Sequence, residues 1–219
     1  MTDTFYFITH PNVVIDPSVP VPRWPLSDHG RERMRKGLRQ PWIGDLGAIY
    51  CSTEQKAMDA AHMLGEHCGL DVVLVHALGE NDRSATGFRP PPEFERLADR
   101  FFSEPQRSVE GWETAANAQA RIVAAVTGIA HVRGSQRRPD DDGAPLAGDA
   151  QARSRAVSGN RRAAAIVSHG AVGALLYCHL AGEPIDRRRD QPPNGGGNYF
   201  VFTLSPPRVH GGWLAIDVV

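Results

Sequence analysis

The sequence predicts an α/β protein, specifically a three-layer α/β/α sandwich with a mostly parallel central sheet. Short runs of apolar and β-branched residues alternate along the chain with stretches whose apolar residues recur at helical spacing, the pattern of strands that alternate with helices. Several of the short runs are apolar nearly throughout, as expected for strands buried on both faces. The 219 residues contain no repeat or evident linker, so we expect a single domain over 1–219.

Six strands are predicted from apolar runs that end at turn-forming residues. The first stops at His10 and Pro11, because proline lacks a backbone N–H and biases the residue before it towards an extended conformation. The fourth ends in the same way, at His169 and Gly170. In chain order the predicted strands are 4–9, 46–51, 72–75, 163–168, 199–204 and 213–218.

Four helices are predicted between these strands. Ser27 and Ser52 have hydroxyls suited to capping the first two, and Gly69 suits the left-handed end of the second. Charged residues, Gly and Pro make 80–92 a loop. The predicted helices are 27–37, 52–68, 112–131 and 172–180.

The composition changes sharply over 133–162, where Gly, Ser, Asp and Arg dominate and apolar residues are sparse. Such a segment cannot bury enough apolar surface to pack as a core element, so we interpret it as a long flexible insertion. The alternative is a lid or docking arm, since long loops are sometimes functional.

Charge and composition narrow the classes of partner. The net charge is −1 and the pI about 6.8, which gives no electrostatic reason to expect nucleic acid or an anionic membrane as partner. No signal peptide and no apolar run of roughly 18 residues is evident. Cys51, Cys68 and Cys178 form no close pair, which indicates buried thiols in a reducing, cytoplasmic setting. The oligomeric state stays open.

Two histidines carry the functional prediction. His10 and His169 each follow a buried strand, and ligands of open α/β sheets bind beyond the carboxyl ends of the strands. If the two strands are neighbours, both imidazoles lie in one crevice as a catalytic pair. Gly170 then begins a helix whose N–H groups suit an anion.

These features resemble the histidine phosphatase superfamily, which has the phosphoglycerate-mutase-like fold. The resemblance covers most of the chain outside the insertion, and each piece of it alone is short. In chain order the pieces are the strand ending at His10, then Pro25-Leu26-Ser27-Asp28-His29-Gly30, Cys51-Ser52-Thr53-Glu54-Gln55-Lys56, Leu78-Gly79-Glu80 and Val167-Ser168-His169-Gly170.

The chain departs from the family pattern where the family places two arginines. Thr9 stands in place of the first, before His10, and Lys56 in place of the second; lysine cannot make the bidentate phosphate contact of arginine. Arg83 and Arg23 are the candidates to supply the missing positive charge, and the alternative is that both are solvated surface arginines. Asn12 is predicted either to bind phosphate or to stabilise the turn after His10.

The resemblance implies roles for the remaining residues. His10 would attack phosphorus and become a phosphohistidine, and a protonated His169 would hold the transferring oxygens with Lys56. Glu80 would protonate the leaving oxygen and later activate water, with Asp82 as the second choice. The scheme requires neither a metal nor another cofactor.

A small phosphorylated substrate is therefore expected, and hydrolysis of a phosphomonoester is the favoured activity. Phosphoglycerate-mutase-type transfer uses the same residues and is one alternative. The other is a weak or inactive pseudophosphatase that binds a phospho-ligand or a protein, an alternative that the missing arginine favours.

Overall fold

The computed structural model describes residues 3–136 and 163–219, and within them six strands form one sheet. The strands are β1 (Phe5–Thr9), β2 (Leu46–Cys51), β3 (Val72–Leu74), β4 (Ala163–Ser168), β5 (Asn198–Leu204) and β6 (Pro207–Ala215). Their order is β3-β2-β4-β1-β5-β6. The first four strands are parallel to one another, β5 is antiparallel to β1, and β6 is antiparallel to β5. The predicted mostly parallel sheet is confirmed.

The helices pack on both faces of this sheet. They are α1 (Asp28–Gly37), α2 (Gln55–Cys68), α3 (Pro91–Ser103), α4 (Ala115–Gln136) and α5 (Gly170–Ala181). Core residues of α3, α4 and α5 pack against one face, and those of α1 and α2 against the other. This is the predicted three-layer sandwich. None of the helices in 3–136 and 163–219 has the length and hydropathy needed to cross a bilayer.

Helix α3 is not predicted from the sequence, because the prolines at its start are typical of a loop. Proline is tolerated in the first helical turn, where its missing N–H has no partner in any case. Beyond that turn the helix buries Leu97, Phe101 and Phe102. The predicted loop 80–92 therefore ends at Pro90.

Other predicted boundaries shift by a few residues. Ser27 caps α1 as predicted, since its hydroxyl accepts a hydrogen bond from the Gly30 N–H at 3.1 Å. Ser52 does not cap α2, which begins only at Gln55. The last strand, β6, starts earlier than predicted, at Pro207.

The predicted insertion at 133–162 was partly wrong, because α4 continues through Gln136. The rest of it, 137–162, lies outside the described residues. Two of the cysteines are buried as predicted, Cys51 and Cys178, whereas Cys68 is partly exposed.

The sheet places the two histidines at the same edge. Strands β1 and β4 are adjacent and parallel, with Thr9 opposite Ser168 in the last register pair. The next residue of each strand is a histidine, and the His10 N–H donates to the Ser168 carbonyl at 3.2 Å. The neighbouring position assumed in the sequence analysis is therefore confirmed.

Candidate active site

The rings of His10 and His169 face each other at the carboxyl edge of the sheet. Their centroids are 5.2 Å apart and their planes are inclined by 67°. Nδ1 of His10 lies 2.9 Å from the Pro11 carbonyl oxygen. Since a carbonyl only accepts, Nδ1 carries the hydrogen and Nε2 keeps its lone pair. His10 is therefore oriented with Nε2 as the nucleophilic atom.

The surroundings of His10 keep its ring neutral. Burial lowers the pKa of His10 to about 4, and the positive charges of Lys56 and Arg83 act in the same direction. The Pro11 hydrogen bond and the Glu54 carboxylate oppose this shift only in part. An uncharged imidazole is the form that can attack phosphorus.

His169 is fully buried and is held through one ring nitrogen. Its Nε2 lies 2.8 Å from Ser52 Oγ and 3.3 Å from Glu54 Oε1. Its Nδ1 is buried and has no hydrogen-bond partner among the described residues. Burial lowers the pKa of His169, and the nearby Glu54 carboxylate works against that effect. A buried nitrogen without a partner is a place where a ligand oxygen would be favourable.

Glu54 lies at the centre of the cluster, and the sequence analysis gave it no role. Its Oε2 is paired with Lys56 Nζ at 2.5 Å, and its Oε1 accepts the Glu80 backbone N–H at 2.8 Å. Although burial works in the other direction, His169 and Lys56 help to lower the pKa of Glu54 to about 2. The residue stands within the motif that contains Lys56, but only the fold brings it against His169.

Lys56 lies where the family resemblance predicts a phosphate-binding cation. Its side chain is buried, and besides the Glu54 carboxylate it donates to the Val21 carbonyl at 3.0 Å. Its charge is thus already compensated by a carboxylate. The predicted role of Lys56 in binding phosphate stays a prediction.

Arg83 has a different environment. Its guanidinium carbon lies 5.1 Å from the centre of the Phe94 ring and 5.7 Å from that of Trp112. No ion pair of Arg83 is present among residues 3–136 and 163–219, and its charge contributes to lowering the pKa of both histidines. Arg83 therefore has a charge near the histidines that no carboxylate cancels.

Thr9 stands at the position of the missing family arginine, and its side chain is hydrogen-bonded to other residues of the protein. The side chain is fully buried, and its hydroxyl donates to Gln191 Oε1 at 2.6 Å and accepts the Asn198 N–H at 2.9 Å. The alternative cation, Arg23, is exposed, and no described hydrogen bond or ion pair connects its side chain to the histidines. Of the two predicted replacements, Arg83 is the one placed near the site.

Glu80 occupies the N-terminus of α5. Its carboxylate accepts hydrogen bonds from the N–H groups of Ala171 at 3.2 Å and Val172 at 3.1 Å. The helix end that we expected to hold an anion thus holds the Glu80 carboxylate, and Gly170 lies at the same end. The second candidate acid, Asp82, is exposed and accepts from the Ser84 N–H at 2.8 Å. The predicted roles of Glu80 and Gly170 stay predictions.

Arg121 positions the segment that carries Glu80. It pairs with Glu113 at 2.7 Å and donates to the carbonyls of Gly79 and Glu80 at 2.9 and 3.1 Å. It comes from α4, far from this segment in sequence. No local pattern could have linked it to the site.

Asn12 is held within the scaffold. Its Oδ1 accepts from Arg33 at 3.0 Å, and Arg33 in turn pairs with Asp217 at 3.0 Å. The adjoining turn approaches so closely that a Cβ on Gly196 would lie 2.2 Å from the His10 carbonyl oxygen. These contacts favour the turn-stabilising alternative for Asn12.

A cavity of about 930 Å³ adjoins the histidine cluster. Glu54 and Glu80 line it, and Glu54 also contacts His169. On its other sides lie 17–22 and the 79–88 segment, including Arg83. Neither histidine of the pair is among the lining residues, so the cavity offers space beside the pair, on the side of Glu54.

Comparison with known families agrees with this geometry. The model of the histidine phosphatase superfamily (branch 1) matches residues 21–137, more than half of the chain. The chain belongs to the histidine phosphatase superfamily. His10 and His169 lie outside the matched residues, so their placement rests on the fold. No curated protein sequence matches the chain.

Several solved structures share the fold of this superfamily member. The mycobacterial glucosyl-3-phosphoglycerate phosphatase in complex with inorganic phosphate is 19% identical, with a TM-score of 0.72 over 99% of this chain and 100% of its own. Bacillus stearothermophilus YhfR is 20% identical, with a TM-score of 0.66 over 94% of each chain. A putative alpha-ribazole-5'-P phosphatase from Escherichia coli is 13% identical, with a TM-score of 0.62 over 100% and 98%. At these identities the likeness shows the fold, while the family supports phosphatase chemistry in general.

Proposed function

We propose that the protein hydrolyses a phosphomonoester through a phosphohistidine on His10. The observation that carries this proposal is the orientation of the pair: the His10 Nδ1–H is held by Pro11, which leaves Nε2 free beside His169. Membership in the superfamily supports the same reaction class.

In the first step the lone pair of His10 Nε2 attacks phosphorus in line. The N–P bond forms as the bond between phosphorus and the ester oxygen breaks, and the leaving oxygen takes a proton from Glu80. Glu80 would have to leave or share its present N–H partners at α5 to do so. A neutral His10 is required, which agrees with its lowered pKa.

In the second step water attacks the phosphohistidine. Glu80, now a carboxylate, takes the proton from the water, the O–P bond forms, and the N–P bond breaks to return the electron pair to His10. Inorganic phosphate and the free alcohol are the products. The sequence of steps needs no metal ion.

The transferring oxygens need positive charge and hydrogen-bond donors. His169 would bind a proton when the dianionic phosphoryl group arrives, since Glu54 already favours its charged form. Its partnerless Nδ1 is then available to donate to a phosphoryl oxygen. Arg83 would supply the second cationic contact.

The test is turnover of an aryl phosphate in the presence of a chelator. We expect phosphate release by the wild-type protein and a loss of at least about a thousandfold for His10→Ala, because the nucleophile is removed. A reaction with ³²P-labelled substrate is then quenched without acid. The label found on His10 should be stable in base and labile in acid.

A matched control is His179→Ala, since His179 is exposed on α5. It should retain both activity and labelling. Equal turnover by His10→Ala and wild type would exclude His10 as the nucleophile. Tight phosphate binding without turnover or labelling would instead support the pseudophosphatase alternative, which the compensated charge of Lys56 favours.

A further inference from the structure

The cavity beside the histidines has an apolar wall. We call residues 17–22 the proline-rich wall: it contributes three prolines and two valines to the lining, and Phe88 adds an aromatic ring. Apolar walls with a few polar groups are typical of sites that bind organic ligands. The wall is therefore suited to the carbon skeleton of a substrate.

The proline-rich wall is held in place before any ligand binds. The indole N–H of Trp24 lies 2.9 and 3.0 Å from the carbonyls of Asp16 and Val19, and the Trp24 ring contacts Phe88 with centroids 5.6 Å apart. Lys56 connects the wall to the histidine cluster through the Val21 carbonyl. A preorganised wall loses little entropy on binding, which favours selective contacts.

Two of the charges that face the cavity or adjoin it are cancelled. Arg121 is paired with Glu113 at 2.7 Å, and Lys56 with Glu54 at 2.5 Å. Neither of these cations offers an uncompensated charge to an anionic group on a substrate.

The remaining charges differ in sign. Asp82 and Glu80 are the other carboxylates of the lining, and Arg83 is the cation without a carboxylate partner among the described residues. The Ser84 hydrogen bonds lower the pKa of Asp82, which keeps it charged at neutral pH. Once Arg83 binds the phosphoryl group and Glu80 carries the proton for the leaving oxygen, the ionised Asp82 still gives the cavity net negative charge towards the rest of the substrate.

On the basis of the proposed function, we infer that the substrate is a phosphomonoester whose alcohol part has an apolar body and is uncharged or cationic. Phosphorylated carboxylic acids, including the substrates of a mutase, would place a second anion against Asp82. Such like-charge contacts disfavour a ligand strongly when it is partly desolvated.

The inference is tested with a matched series of benzyl phosphates. The three esters bear a 4-carboxyl, a 4-carbamoyl or a 4-aminomethyl group, so that size and leaving group are similar while the charge changes. We expect kcat/KM for the carbamoyl and aminomethyl esters to exceed that for the carboxyl ester by at least about fivefold, because of repulsion by the cavity carboxylates.

Two test variants and one control variant locate the effect. Asp82→Asn should narrow the difference between carbamoyl and carboxyl esters, whereas Asp71→Asn, at an exposed position outside the lining, should leave it unchanged. Phe88→Ala should lower kcat/KM for the carbamoyl ester by several-fold more than for methyl phosphate, since only the larger ester reaches the apolar wall.

Failure of this inference is distinguishable from failure of the proposed function. Equal or faster turnover of the carboxyl ester, with label still on His10, would overturn the substrate class and leave the phosphatase standing. An absence of turnover for every ester, together with no label on His10, would overturn both. A charge preference that Asp82→Asn does not change would overturn the role of the cavity carboxylates.

Discussion

Lys56 and Arg83 are two cations whose charges lower the pKa of both histidines, and their surroundings are opposite. Lys56 is buried on α2 and bound to a carboxylate and a carbonyl. Arg83 lies in the loop before α3, beside the rings of Phe94 and Trp112, with no carboxylate partner in the described part of the chain. Lys56 is fixed and compensated, whereas Arg83 has a charge available to a ligand.

The difference shows that position in a motif does not determine electrostatic function. The family resemblance selects Lys56, because it stands at an expected place in the sequence. In the fold, the carboxylate of the neighbouring Glu54 compensates the charge of Lys56. The same carboxylate also contacts His169, so Lys56 helps to hold the group that supports this histidine. We therefore propose Arg83 as the main phosphate contact, since it can also make the bidentate interaction that lysine cannot.

The largest expected effect comes from removing the available cation. Arg83→Gln should lower kcat/KM for an aryl phosphate by about a hundredfold, consistent with loss of a charged contact to the phosphoryl group. Arg83→Lys should recover only part of this loss. Steady-state kinetics with phosphate as a competitive inhibitor provide the measurement.

Arg107→Gln is the matched control, because Arg107 is exposed and, among residues 3–136 and 163–219, pairs only with Glu104 at the surface. It should behave as wild type. If Arg83→Gln binds phosphate as tightly as wild type while a Lys56→Gln variant does not, Lys56 rather than Arg83 is the main phosphate contact.

A smaller effect is expected when the Glu54 carboxylate that pairs with Lys56 is removed: phosphate binding should strengthen while turnover weakens. Glu54→Gln should strengthen inhibition by phosphate by about tenfold, since the ammonium charge is no longer cancelled. It should also lower kcat, because His169 loses the carboxylate that favours its protonated form. This split between binding and turnover identifies Glu54 as a positioning residue.

The pH dependence follows from the same carboxylate. Because the pKa of Glu54 is lowered from 4.5 to about 2, its ionised form contributes stability above about pH 4.5, which is lost as the pH falls towards 2. The loss of stability on acidification should therefore be smaller in Glu54→Gln than in Glu66→Gln, an exposed change on the same helix. Urea unfolding at pH 3 and pH 7 measures this, and identical pH dependence in the two variants would contradict it.

The smallest expected effect concerns the aromatic support of Arg83. Phe94→Leu should raise KM by a few-fold, in line with a cation–π contact of about 0.5–1 kcal/mol, while kcat changes little. Phe94→Tyr keeps the ring and should restore the wild-type KM. A KM unchanged in Phe94→Leu would mean that Trp112 alone orients the guanidinium.

Much of this architecture is predictable from local sequence patterns. The apolar runs identify all six strands, and Pro11 marks the end of β1 because its ring forbids a further ladder bond. The starts of α3 and α2 were less predictable. A proline-rich helix start resembles a loop, and the Ser52 hydroxyl that could have capped a helix is instead bound to His169.

The sequence by itself determined that this chain forms an α/β sandwich in which two strands end in histidines, because strand period, proline and glycine act locally along the chain. Only the tertiary structure decided that Glu54 compensates Lys56, that Thr9 is buried in an amide network and that Arg83 lies near both histidines. Charge compensation and burial depend on which distant segments pack together. Local sequence patterns therefore indicate where the site lies, whereas residues far apart in the chain determine its electrostatics.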